Sequence, residues 1–170
     1  MAMPQLASVQ IACLVVFGLL LALGAWQDWR TMRIADALPL SIVATYVVWA
    51  ACGVTLGTLS FASVSAGWII SGILFSTGMA AFAFGALGGG DVKLLAAASL
   101  FAGPTLVADF LMVTGLAGGL VGAVVLAGAL TGRTVPLSQP NASRRSRHLV
   151  PYGPAIAIGG LWVAVSLTIA

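Results

Sequence analysis

Residues 10–33 read QIACLVVFGLLLALGAWQDWRTMR. No charge interrupts residues 10–27, and then Asp28, Arg30 and Arg33 arrive within six positions. A hydrocarbon core is crossed by about 17–25 predominantly apolar residues, so this stretch predicts a transmembrane helix that stops at an interfacial loop, Asp28-Trp29-Arg30-Thr31-Met32-Arg33. No basic residues precede the run. It is therefore read as a first transmembrane helix rather than a cleaved signal peptide.

The rest of the chain repeats that pattern. Of its 170 residues 61% are hydrophobic and 6% charged, and there is no glutamate. A soluble domain carries about a quarter charged residues, and seven Lys/Arg with four Asp cannot clothe a water-facing surface of this size. Lipid is the expected solvent. Further apolar runs follow at 37–56, 62–87, 92–102 (closed by Gly103-Pro104), 106–130 and 150–170. The prediction is an all-α, polytopic membrane helix bundle of about six transmembrane helices, forming one integral membrane domain over residues 1–170. Gly115, Gly118, Gly119 and Gly122 in the fifth run predict close helix packing.

The net charge of +3 does not point to nucleic acid, because the basic residues fall in short gaps between apolar runs. With six spans, the gaps after the first, third and fifth, with Lys93 at the edge of the third, account for all seven Lys and Arg, including the polar segment 131–149 with Arg133, Arg144, Arg145 and Arg147. The positive-inside rule places those gaps in the cytoplasm and both termini outside. Membrane lipids are expected partners, with the arginine-rich segment touching anionic headgroups. Trp26, Trp29, Trp49, Trp68 and Trp162 read as interfacial anchors or packing residues.

Chemistry has few candidates. Cys13 and Cys52 lie within apolar runs with no ligand spacing around them, and His148 has no acid beside it in sequence. No metal and no cofactor are expected. Four carboxylates remain: Asp28, Asp36, Asp91 and Asp109. The topology puts Asp28 and Asp91 at the same end of different helices. Two carboxylates brought together share one proton, so one serves as base and the other as acid toward water and a peptide carbonyl. The glycine run Gly88-Gly89-Gly90 beside Asp91 would admit an extended backbone. Blander roles exist for each: Asp91 as N-cap of a helix starting at Val92, Asp36 as N-cap of the second helix, Asp109 as a helix-start charge, Lys93 as an interfacial cation. Asp28 at a helix C-terminus opposes the helix dipole and asks for a partner.

The stretch Gly88-Gly89-Gly90-Asp91-Val92-Lys93-Leu94 resembles the GxGD signature of the type IV prepilin peptidases, intramembrane aspartic proteases. Two further parts appear in order: Asp28 followed by Arg30 and Arg33, and Val150-Pro151-Tyr152-Gly153-Pro154-Ala155-Ile156-Ala157. The chain is similar to the short, single-domain form associated with Flp-type pili. The resemblance implies cleavage of the basic leader of prepilin substrates at the cytoplasmic face of the bacterial inner membrane, with Asp28 and Asp91 catalytic and Gly88 and Gly90 shaping the site. It implies no methyltransferase activity, since the cysteine-containing domain of longer relatives has no counterpart. Many relatives carry Ile-Pro-Asn where this chain has Ile34-Ala35-Asp36, which makes Asp36 a second candidate for the first acid. Two other readings are a non-catalytic membrane subunit of a pilus or secretion assembly and a small ion-coupled transporter. The latter calls for polar residues along several helices toward the midplane.

Overall fold

The structure, a computed structural model, describes residues 3–130 and 152–169. Among them are five helices: α1 (Met3–Thr31), α2 (Ala37–Leu56), α3 (Phe61–Ala83), α4 (Gly89–Leu130) and α5 (Gly153–Ile169). The arginine-rich segment 131–149 lies outside the described residues. Helices α1 to α4 are long and apolar enough to cross a membrane, and α5 is a shorter apolar helix of 17 residues. Large apolar side chains face outward, among them Val15, Leu19, Ile73, Leu116 and Leu120. Asp28, Ser71, Asp91, Ser99 and Thr114 are turned inward. Apolar side chains toward lipid and polar groups toward the bundle is the arrangement a membrane imposes.

Helix α2 keeps the bounds read from sequence, but α1 does not stop at Asp28. It continues to Thr31 and ends at Met32, whose φ of 52° is left-handed. Asp28 is therefore helical rather than part of a loop. Helix α3 stops at Ala83, short of the expected residue 87, because Gly85 takes φ 76°. The N–H of Ala86 bonds the Ala81 carbonyl and that of Gly85 bonds the Phe82 carbonyl, each at 2.9 Å. This pair of bonds closes the helix and turns the chain into the glycine run.

Helix α4 has 42 residues, a length of about 63 Å if straight, roughly twice a bilayer core. It is instead two helices meeting at Gly103, where φ 54° and ψ −163° form a combination open essentially to glycine alone. Pro104 follows and has no N–H to continue the ladder. Sequence placed the break at these same residues. Counting the halves of α4 separately gives six helical segments among the described residues.

Helix α4 is the hub, packing against α2, α3 and α5, while α1 packs against α2 and α5. At the centre the rings of Phe17 and Phe101 stack with centroids 4.1 Å apart, and Tyr46 meets Phe101 edge-on at 5.4 Å. Each such aromatic pair contributes about 0.5–1.5 kcal/mol beyond burial. Ser71 Oγ donates to the Ala96 carbonyl at 2.7 Å, tying α3 to α4. A Cβ on Gly78 would sit 2.8 Å from Val92 Cγ1, so glycine lets α3 lie directly against the start of α4. Likewise Gly160 admits Leu21, drawing α5 onto α1. The last turn of α1 and the first turns of α4 and α5 consequently meet.

Candidate active site

Asp28 and Asp91 line one cleft of about 560 Å³. They are 4% and 8% exposed, one in the last turn of α1 and the other in the first turn of α4. The cleft has an apolar wall as well, supplied by Met32, Ile34, Phe82 and Leu87. That wall was not foreseen. It arises because the loop after α1 and the turn after α3 face each other across the two acids.

Asp91 is held from its own helix. Val92 N–H bonds the Gly88 carbonyl at 3.1 Å, which makes Gly88 the N-cap and Asp91 the third residue of the first turn. From there the Asp91 side chain lies back over Gly88, the position from which an acid at the third helical residue faces the N-cap backbone. Asp91 is thus not the N-cap of a helix starting at Val92; the helix begins at Gly89. A negative group in a first turn is favoured by the helix dipole, so the position suits an acid. A Cβ on Gly88 would fall 2.7 Å from Asp91 Oδ2. One on Gly90 would fall 3.0 Å from Ile34 Cβ and 3.4 Å from Ile34 N, so glycine lets the loop after α1 cross the start of α4.

Asp28 has the opposite problem, lying in the last turn of α1 where the helix carbonyls disfavour negative charge. Its partner comes from 125 residues away: Gly153 N–H donates to Asp28 Oδ2 at 2.8 Å, in a buried bond. Sequence reasoning included Gly153 only within the stretch that opens the last helix. No local signal marks it, since the need for it arises from a tertiary contact.

The loop joining α1 to α2 is fixed by side chains. Gln27 Oε1 accepts from Ala35 N–H at 3.3 Å, and Thr31 Oγ1 reaches the Gln27 carbonyl at 2.8 Å and the Arg33 carbonyl at 3.0 Å. The Arg30 guanidinium lies 4.5 Å from the Trp26 ring centroid. Asp36 stands at the N-cap position of α2 but makes no capping bond. Its carboxylate instead pairs with Lys93 Nζ at 2.7 Å, joining the entry of α2 to the fifth residue of α4. Asp36 lines the cleft, but at 72% side-chain exposure it lies at the rim, unlike the two buried acids. Asp109 is exposed on the second half of α4 and does not line the cleft.

Two buried carboxyls lining one cleft, with Asp28 bonded to the Gly153 N–H, can pass protons to and from a water and a bound carbonyl. Comparison with curated proteins and with solved structures gave no match. Comparison with protein families did: residues 14–125 match the type IV leader peptidase family.

Proposed function

Since the chain belongs to the type IV leader peptidase family, we propose that it is an intramembrane aspartic endopeptidase that removes leader peptides from prepilins, with Asp28 and Asp91 as its catalytic pair. The observation that carries this reading is the convergence of these two buried acids, from α1 and α4, on one cleft. The ionised member takes a proton from water as the water oxygen bonds to the scissile carbonyl carbon. The protonated member donates to the carbonyl oxygen, giving a neutral tetrahedral intermediate. Its collapse breaks the C–N bond: the nitrogen leaves with a proton from the carboxyl that acted as base, one hydroxyl of the intermediate returns its proton to the other carboxylate, and the pair regains its starting state.

Gly88 and Gly90 shape the site by keeping side chains off the Asp91 carboxyl and off the loop at Ile34. The apolar wall of Ile34, Phe82 and Leu87 suits the membrane-facing part of the substrate. The positive-inside distribution supports a cleft facing the cytoplasm of a bacterial inner membrane, with both termini outside. Residues 1–170 act as one domain, and neither metal nor cofactor takes part.

Purified protein in detergent, incubated with a synthetic peptide spanning a prepilin leader and the start of its hydrophobic segment, is expected to cut it once at the junction. Intact peptide after prolonged incubation with folded protein would refute the reading. An assembly subunit without chemistry gives that negative result.

A further inference from the structure

Gly153 is a glycine whose reason lies in another helix. It begins α5, where its N–H has no acceptor within the helix and needs one from elsewhere. That acceptor is Asp28 Oδ2 at 2.8 Å. Its φ is not among the positive values found at Gly57, Gly85 and Gly103, so space rather than backbone conformation excludes a side chain here. A Cβ at 153 would lie 2.6 Å from Asp28 Cβ, 2.8 Å from Oδ2 and 3.0 Å from Cγ. These three nearest atoms belong to one side chain, and one of them, Cβ, is fixed to the α1 backbone. Rotating Asp28 would not relieve that contact. Either α5 withdraws from α1 or the bond to Oδ2 is lost.

We infer that Gly153 is the positioning residue of Asp28: the close approach of the α5 start fixes one carboxylate oxygen and leaves the other for water and Asp91. Each acid then has its own glycine neighbour: Gly88, from the same helix turn, leaves room for Asp91 Oδ2, and Gly153, from a distant helix, donates to Asp28. The difference matters. Asp91 is set by local geometry, whereas Asp28 is set only when α5 is docked on α1, so docking of the last helix completes the pair.

The inference rests on the proposed peptidase activity for its kinetic test but not for its structural one. Gly153→Ala is expected to lower kcat by about 10²-fold, the effect of a misplacement near 1 Å, while KM for the leader peptide changes by less than about threefold. A glycine serving packing alone would lower the melting temperature and leave kcat per folded molecule unchanged, and that result would overturn the inference. Melting in detergent supplies the second test, which needs no activity and uses four proteins: wild type, Gly153→Ala, Asp28→Gly and the double variant. The loss in melting temperature caused by Gly153→Ala should shrink by more than about half in the Asp28→Gly background, because the atoms it strikes are gone. An equal loss in both backgrounds would show that the glycine answers to other neighbours. Failure of Gly153→Ala to fold in the Asp28→Gly background would count the same way. If the wild type cuts no leader peptide, the functional reading fails while the melting cycle still decides the contact.

Discussion

Asp36 and Asp28 are eight positions apart, and the structure separates them by environment. Asp28 is buried against the start of α5, whereas Asp36 is 72% exposed and bound to Lys93 at 2.7 Å. An exposed ion pair contributes about 0–1 kcal/mol. Asp36→Asn should therefore move the melting temperature little and leave leader cleavage within about threefold of wild type. Loss of cleavage in that variant, measured beside Asp28→Asn, would make Asp36 the first acid instead. The candidate acids were legible in the sequence because the chain has only four carboxylates and one of them follows a glycine run. Their partners were not. The fixing of Asp28 by Gly153 and the pairing of Asp36 with Lys93 join residues 125 and 57 positions apart, and hydrophobic patterning carries no information about such pairs.

At the scale of elements, apolar runs fixed helix existence better than helix ends. The bounds of α2 coincide with its apolar run, but α1 runs on through Asp28 to Thr31. Backbone hydrogen bonding continues through polar residues at an interface, so a change in hydropathy marks the membrane boundary rather than the helix end. The break in α4 was legible because Gly103-Pro104 is a local signal with a local cause. Gly103→Ala forces a side chain into φ 54°, ψ −163°, at a cost of about 1–3 kcal/mol, and should lower the melting temperature by several degrees. An unchanged melting curve would mean that the two halves of α4 join in another way. Because Phe101 of the aromatic core lies two residues before the break, the same variant should also disturb the stacking with Phe17.

At the scale of the whole molecule, the bundle turns polar groups inward and gathers the starts of α4 and α5 at the end of α1. That assembly is what makes a cleft with two acids from four carboxylates spread over a largely apolar chain. The charge distribution predicts that cysteines introduced near residues 33 and 140, in a background lacking Cys13 and Cys52, are labelled by a membrane-impermeant reagent only from the cytoplasmic side. A cysteine at residue 58 should be labelled only from the opposite side. The reverse pattern would remove the cytoplasmic leader as substrate. The central claim is that Asp28 and Asp91 act as one unit on one water, and the kinetics of three variants test it most directly. Asp28→Asn and Asp91→Asn should each slow leader cleavage by about 10²–10⁴-fold or more, and the double variant should be no slower than the worse single one. Losses that multiply, or a single variant that still cleaves at the wild-type rate, would contradict it.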